Sequence, residues 1–242
     1  MRGALAALAF LTRLPMPRLE AADFTRAPGW FAAAGLVIGA ALAGVWVLAA
    51  LVWPPVVAAL VVVAFGLLLT GALHEDGLAD TFDGLGSGRP ADRVLEILRD
   101  SRIGAFGAMA LVMVLGLRVA ALAALGALAP VALVAGQGLS RAAMVGVLRA
   151  GPYLRASGAG TGMTGPLGAG IVPLALAVLV ALGLALWAFG AGALIGLAGA
   201  SGAAWALRAW ALRRIGGITG DILGAVQVLA DLAFLLGVLA WL

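Results

Sequence analysis

The stretch "VVAALVVVAFGLLLTGALHEDGLADTFDG", residues 56–84, joins an uncharged apolar run to a dense group of acidic side chains. No charged residue occurs between positions 56 and 73, a length close to the roughly 20 apolar residues that cross a bilayer as a helix. Four of the chain's eleven acidic residues then fall within nine positions. The apolar part predicts a membrane helix. The acidic part indicates a function that requires concentrated negative charge at the end of that helix.

The composition predicts an integral membrane protein. Hydrophobic residues make up 64% of the 242 positions and charged residues 11%, whereas a soluble domain is roughly half apolar and a quarter charged. The 36 glycines suit close contact between membrane helices. The chain has no cysteine, which excludes disulfides and Cys-based zinc sites.

Apolar periodicity and length predict an all-α fold, a polytopic membrane helical bundle of about seven transmembrane helices within a single domain, 1–242. Residues 1–29 are expected to form an uncleaved interfacial helix and loop, not a signal peptide. The predicted spans are 30–53, 56–73, 105–128, 131–148, 171–189, 191–207 and 222–242.

All fifteen basic residues are arginines, and thirteen of them precede the first span or follow the second, fourth or sixth. By the positive-inside rule this side, with the N-terminus, is cytoplasmic. Membrane topology thus explains the net charge of +4, and no nucleic-acid partner is expected. The long polar connections 74–102, 149–170 and 208–221 share that side, which favours an enzyme with soluble substrates over a transporter. A purely structural membrane protein would not need the acidic cluster.

The acidic residues have helical spacing. Asp76, Asp80 and Asp83 lie at i, i+4 and i+7, so a helix places them on one face, while Glu75 points elsewhere. Three carboxylates at this spacing repel each other, and Mg²⁺, which prefers oxygen ligands, relieves that repulsion. The alternative is that they form a solvated, helix-capping end. Gly77 leaves room for a phosphate or sugar to approach the backbone.

Residues 74–103 are therefore predicted to form a cytoplasmic acidic and arginine-rich catalytic loop. Arg89 and Arg102 supply phosphate-pairing guanidiniums beside the carboxylates, an arrangement typical of phosphotransfer. His74, the only histidine, is either a general base or substrate anchor, or simply an interfacial hydrogen-bonding group.

Polar residues outside this segment suggest further roles. Around Thr219 and Asp221 the sequence "RRIGGITGDILGA" either cradles a phosphate or forms a connector capped by Asp221. Within the predicted spans, Gln137 and Arg141 form a polar stripe, whereas Arg118 and Asp231 are interpreted as a structural pair. The connection 149–170 is either a mobile segment that contacts substrate or a disordered linker.

Five motifs together resemble the cobalamin synthase family, the adenosylcobinamide-GDP ribazoletransferases. They occur in order over nearly the whole chain: "FLTRLPMP", "HEDGLADTFDGLGSG", "RVLEILRDSRIGAFGAMAL", "SRAAM" and "GGITGDILGA". The resemblance implies an inner-membrane enzyme whose active site faces the cytoplasm. It would join adenosylcobinamide-GDP to α-ribazole or its 5′-phosphate, giving adenosylcobalamin or its phosphate and releasing GMP, with Mg²⁺ as cofactor. A homo-oligomer held by membrane helices is a further expectation.

The acidic motif, the "DSR" element and the C-terminal motif match the family residue by residue, and with the residues discussed above they give the expected roles; one position departs from the family's pattern. The expected catalytic residues are His74, Glu75 and Arg102, and the expected metal ligands are Asp76, Asp80 and Asp83. The expected substrate-binding residues are Arg13, Arg89, Asp100, Arg141, Thr219 and Asp221. The last two are expected near a phosphate or as a second metal ligand. Family members commonly have an acidic residue where this chain has Gln227. The alternative functions are a lipid enzyme similar to CDP-alcohol phosphotransferases, whose full motif is absent, and a membrane transporter.

Overall fold

The protein is described by a computed structural model that covers residues 2–100, 102–154 and 161–242. Over these ranges the regular structure is helical, apart from one isolated backbone bridge between Tyr153 and Ile218. This confirms the predicted all-α fold. The α-helices are α1 (Arg2–Leu11), α2 (Ala21–Phe24), α3 (Phe31–Ala50), α4 (Pro55–Thr70), α5 (Leu73–Gly86), α6 (Ala91–Ile97), α7 (Ala105–Leu125), α8 (Ala129–Ala150), α9 (Ile171–Phe189), α10 (Gly192–Ile215) and α11 (Gly220–Leu239).

Four helical stretches are long and apolar enough to cross a membrane: Ala27–Ala50, Ala105–Ala150, Gly168–Phe189 and Gly220–Leu239. A fifth is obtained if the bent pair α4 and α5 counts as one span. The stretch Ala105–Ala150 contains both α7 and α8, which are separated by a turn at Gly126 with a φ of 54°. The polytopic helical architecture agrees with the prediction, and the number of spans and their orientation stay predictions.

The last helix, α11, lies at the centre of the bundle and packs against α5, α7, α8 and α10. Small residues allow its neighbours to approach closely. A Cβ at Gly237 would lie 2.6 Å from the Cα of Gly196 on α10, and a Cβ at Gly39 of α3 would lie 2.6 Å from the Leu133 carbonyl oxygen of α8. Backbones in contact at glycine are the packing that the composition predicts for membrane helices.

A sharp bend separates the apolar run from the acidic segment. The α4 helix ends at Thr70, and Gly71 and Ala72 both adopt left-handed conformations, with φ of 65° and 55°. The Ala72 amide donates to the Leu67 carbonyl at 2.9 Å and the Gly71 amide to that of Leu68 at 3.4 Å, a Schellman arrangement. The next helix, α5, turns by 91°. The predicted segment 74–103 therefore consists largely of α5 and α6, and much of α5 is buried.

Arginines tie the connections together at one end of the bundle. Arg149 donates to the carbonyl oxygens of Met163, at 2.9 Å, and Gly165. Arg208 donates to the Ala150 carbonyl, and Arg214 donates to the Arg89 carbonyl at 2.9 Å. The predicted segment 149–170 lies partly outside the described residues, as does Arg155. The described arginines of this end fix backbone positions as well as carrying charge.

Candidate active site

A cavity of about 180 Å³ lies where the beginnings of α3, α5 and α11 meet the end of α8. Its polar lining comes from His74 and Asp76 of α5, Asp221 of α11, and Tyr153, which follows α8. The remaining side chains in the lining are apolar: Phe10, Phe31, Leu73, Met144, Val145, Leu148, Met163 and Leu223. The cavity therefore combines two carboxylates and an imidazole with a hydrophobic wall, which is the usual composition of a small-molecule site.

The carboxylates of Asp76 and Asp221 reach this cavity because α5 and α11 are in backbone contact. A Cβ at Gly77 would lie 2.7 Å from the Asp221 carbonyl oxygen, and one at Gly224 would lie 3.2 Å from the Cα of His74. At Gly77 the approach requires glycine unless the helices shift, whereas at Gly224 the neighbour would have to move by a few tenths of an ångström. The close approach at Gly77 that the sequence suggested for a ligand is made by α11 itself.

Two sets of hydrogen bonds fix the turn before α11. Thr219 is the N-cap residue of α11 and accepts a hydrogen bond from the Ile222 amide at 3.5 Å, and its hydroxyl donates to the Asp221 carboxylate at 3.1 Å. The Leu154 amide donates to the Ile218 carbonyl at 2.9 Å, and the Ile218 amide donates to that of Pro152 at 2.9 Å. Thr219 is buried beside Asp221, and both predicted residues thus belong to this end of the site.

The three aspartates on the acidic face of α5 have different surroundings in the structure. The Asp83 carboxylate accepts hydrogen bonds from the amides of Gly104, at 2.7 Å, and Gly107, at 2.9 Å. Asp83 thus satisfies free amides at the N-terminus of α7, where negative charge is also favoured by the helix dipole. This is the helix-capping alternative, realised for one of the three aspartates. Asp80 lies one turn from Asp76, is partly buried, and does not line the cavity.

The residues present fit a magnesium ion that relies on substrate for part of its coordination. Within the part of the chain that the structure describes, no group of three or more His, Cys, Asp or Glu side chains is arranged to hold a metal. Mg²⁺, however, is commonly held by one or two carboxylates together with substrate phosphates and water. Asp76 and Asp221, which line one cavity from two helices, meet that requirement.

Glu75 lines a second, smaller cavity of about 20 Å³, and His74 contributes to both cavities. The smaller cavity is just large enough for one water molecule. Arg118, Gln137 and Arg141 also line it. Among the described atoms, neither His74 Nε2 nor Glu75 Oε2 has a hydrogen-bond partner. Glu75 therefore lies deeper in the bundle than Asp76, on another side of α5, as helical spacing predicts.

A buried polar network surrounds this second cavity. Arg141 is 1% exposed and donates to the Gln137 side-chain oxygen at 2.6 Å. Gln227 of α11 donates to the Ser140 hydroxyl at 3.1 Å. Arg141, predicted to bind substrate, lines only the smaller of these two cavities, where its partner Gln137 also lies.

The interpretation of Arg118 and Asp231 as a structural pair is confirmed. Arg118 Nη2 lies 3.1 Å from Asp231 Oδ2, and the two side chains are 10% and 1% exposed. The Asp231 oxygens nevertheless have no well-aligned hydrogen-bond donor among the described residues. We therefore regard the interaction as an ion pair rather than a strong hydrogen bond.

The remaining predicted residues lie on the exposed side of the same end or away from the cavity. Arg102 and Asp100 form an exposed ion pair with Nη2 2.6 Å from Oδ2, and this guanidinium lowers the pKa of the Asp100 carboxyl from 3.8 to about 2. The Arg13 side chain covers Gly71 at the bend between α4 and α5. Arg89 is exposed and its carbonyl accepts from Arg214. None of these four predicted residues lines the cavity.

The apolar wall of the cavity was not predicted from the sequence. Phe10 and Phe31 stack with ring centroids 5.7 Å apart and planes 11° apart, and Met144 and Leu148 come from α8. In a chain where 64% of residues are hydrophobic, such side chains do not stand out. Tyr153, the only tyrosine, is the one member with a distinctive sequence signal.

Comparison with known proteins identifies a family. The model of the family described as cobalamin-5-phosphate synthase matches residues 3–239. Proteins named adenosylcobinamide-GDP ribazoletransferase are similar over nearly their full length. The protein of Azorhizobium caulinodans is 45% identical, covering 98% of this chain and 94% of the relative. Those of Vibrio cholerae and of a Roseiflexus species are 39% and 42% identical and cover 98% and 95% of this chain and 93% and 86% of each relative.

No solved structure matches the fold. The sequence motifs therefore carry the relationship, and the structure adds the geometry around them. Over 237 positions that include the acidic helix, the buried arginines and the capped turn before the last helix, this chain belongs to the cobalamin-5-phosphate synthase family.

Proposed function

We propose that the protein transfers the adenosylcobinamide phosphate moiety of adenosylcobinamide-GDP to α-ribazole or its 5′-phosphate and releases GMP. Family membership over residues 3–239 supports the reaction class. The observation that carries the proposal to particular residues is the convergence of Asp76 and Asp221 on one cavity beside His74. A lipid phosphotransferase or a transporter is not favoured, because the matched family is a cobalamin synthase.

In the proposed reaction a ribose hydroxyl oxygen forms a bond to the cobinamide-linked phosphorus. The bond from that phosphorus to the oxygen of the GMP phosphate breaks, and GMP leaves with the electron pair. His74 lies beside Asp76 in the cavity lining. We assign this imidazole the role of accepting the hydroxyl proton.

The two carboxylates would hold Mg²⁺ together with phosphate oxygens of the substrate. When bound, the ion would neutralise negative charge on the transferring phosphoryl group. Asp76 and Asp221 are proposed as its ligands, with Asp80 the neighbouring carboxylate one turn along α5. Asp83 is excluded from our proposed ligand set because both of its oxygens accept amide hydrogens from α7.

The test is GMP release by the purified protein in detergent, supplied with adenosylcobinamide-GDP, α-ribazole and Mg²⁺. We expect Asp76→Asn to lower the rate by about 100-fold or more, since it removes a charge that acts on the transferring phosphoryl group. Asp92→Asn makes the same chemical change at an exposed position of α6 and should have almost no effect. Absence of GMP release by the wild-type protein, or equal activity in both variants, contradicts the proposal.

We further propose that the protein resides in the cell inner membrane with the cavity facing the cytoplasm. The one-sided arginine distribution supports this orientation. Since the chain contains no cysteine, single cysteines can be labelled in intact cells without background. Ala91→Cys should be protected from an impermeant maleimide, whereas Ala127→Cys, in the turn between α7 and α8, should react. The reverse pattern contradicts the orientation.

Self-association of the protein is tested by light scattering of the detergent complex.

A further inference from the structure

The hydrophobic part of the 180 Å³ cavity has the character of a binding site for a flat ring. The stacked rings of Phe10 and Phe31 form one wall, and Met144 and Leu148 of α8 contribute further apolar surface. The polar groups, His74, Asp76, Tyr153 and Asp221, come from α5 and from segments beside the start of α11. No arginine of the described chain lines the cavity.

The size of the cavity suits a single ring system. Sites that enclose a drug-sized molecule have volumes of roughly 300–1,000 Å³, whereas an apolar cavity of about 150 Å³ in another protein takes a single benzene. At about 180 Å³, this cavity is close to the volume that takes one ring and smaller than sites that enclose a drug-sized molecule. A compact aromatic base with its attached sugar at the mouth matches the volume.

The polar and apolar groups of the lining suit different parts of the two proposed substrates. The phosphates of adenosylcobinamide-GDP are assigned above to the Mg²⁺ that Asp76 and Asp221 would hold, so they do not occupy the apolar wall. The corrin ring carries a fringe of polar amides, which an apolar wall would leave without hydrogen bonds. The benzimidazole base of ribazole is flat, uncharged and mostly apolar, and suits contact with Phe31 and Met144.

We propose that this cavity binds the benzimidazole base of ribazole between the Phe10–Phe31 pair and Met144, with the ribose hydroxyls directed toward His74 and Asp76. This inference rests on the proposed function. It assigns to residues of α1, α3 and α8 a role in choosing the acceptor base, distinct from the phosphotransfer chemistry of α5 and α11. Met144 and Leu148 are then specificity-determining residues.

The test compares acceptors that differ only in the base. Met144 is 4% exposed, and Met144→Phe adds volume to the wall. We expect it to raise the KM for α-ribazole, whose base is 5,6-dimethylbenzimidazole, about ten-fold. The KM for the riboside of unsubstituted benzimidazole, which lacks the two methyl groups, should rise by less. The KM for adenosylcobinamide-GDP should stay unchanged. The matched control is Met113→Phe on α7, a position that is 61% exposed and distant in sequence from the lining.

A measurement on the wild-type protein keeps the test independent of folding of the variant. Free 5,6-dimethylbenzimidazole should inhibit GMP release competitively with α-ribazole and non-competitively with adenosylcobinamide-GDP. Competition of this base with adenosylcobinamide-GDP would overturn the assignment. A Met144→Phe variant that raises the KM for α-ribazole and the KM for adenosylcobinamide-GDP equally would also overturn it. So would a variant that raises the KM for the two ribosides by the same factor. A wild-type protein that binds α-ribazole but releases no GMP would contradict the proposed function and leave the assignment of the cavity intact.

Discussion

The Cα of Gly77 on α5 lies directly against the backbone of Asp221 on α11, so that a Cβ at Gly77 would come within 2.7 Å of the Asp221 carbonyl oxygen. Gly77→Ala must therefore push the two helices apart. Overpacking of this kind costs about 1–3 kcal/mol of stability. A displacement of about 1 Å in the catalytic groups is enough to lower the rate by about 100-fold. Thermal unfolding in detergent and GMP release measure the two effects.

The control for Gly77→Ala is Gly86→Ala at the end of the same helix. A Cβ at Gly86 would lie 3.7 Å from the Phe106 ring, which is an ordinary contact. We expect this variant to be as stable as the wild type or up to about 1 kcal/mol more stable, because alanine reduces the freedom of the unfolded chain. Similar losses in both variants would mean that the contact between α5 and α11 has no special role.

The buried ion pair between Arg118 and Asp231 makes a prediction about stability. Arg118→Met leaves the Asp231 carboxylate buried without its partner, and we expect a loss of about 3–5 kcal/mol in the free energy of unfolding. Combining it with Asp231→Leu should recover much of that loss, since both charges are then removed. The exposed pair Arg93 and Glu96, each 61% exposed, is the control, and Arg93→Met should cost at most about 1 kcal/mol. A double variant no more stable than Arg118→Met alone would contradict the pairing.

The two aspartates at the ends of the acidic face should respond differently to metal. Asp83→Asn weakens the capping of α7 and should cost about 1 kcal/mol of stability, while the Mg²⁺ concentration for half-maximal activity stays unchanged. Asp76→Asn should raise that concentration at least about ten-fold. Titrating Mg²⁺ into chelator-treated protein gives both values. A raised Mg²⁺ requirement in Asp83→Asn would restore Asp83 to the ligand set.

The exposed pair of Asp100 and Arg102 predicts a pH response. Because the guanidinium lowers the pKa of the Asp100 carboxyl from 3.8 to about 2, the interaction is complete above pH 3.8 and is lost as the pH falls through 2. Arg102→Ala should return this pKa to near 3.8, as measured by the carbon chemical shift of the carboxyl group. Above about pH 5 the pair should make no contribution to the pH dependence of stability. A pKa that is unchanged in the variant would contradict the pairing.

The sequence was sufficient for the parts of the fold that depend on local periodicity. The apolar runs predicted the helices, and the spacing of Gln137 and Arg141 predicted one polar stripe, within which the structure has the two side chains hydrogen-bonded. The bend at Gly71 was not predicted, because the apolar run continues past it to Leu73 and the hydropathy pattern shows no break.

The site itself required tertiary information. Asp76 and Asp221 are separated by 144 other positions, and their meeting depends on glycines whose packing partners a single sequence cannot reveal. Asp83 matched the spacing of the other aspartates, yet the amides of Gly104 and Gly107 use its oxygens. The cavity wall was missed because Phe31 and Met144 resemble the many apolar residues that face lipid or other helices.

The 91° turn between α4 and α5 sets the direction in which the carboxylates follow one another. Asp76 and Asp80 are about 6 Å apart along the α5 axis, and that axis runs across the direction of α4. Asp76 and Asp80 therefore lie side by side, at about the same height measured along the α4 axis. The acidic helix thus runs across the end of α4 instead of continuing along it, and Asp76 is the aspartate of its acidic face that lines the cavity.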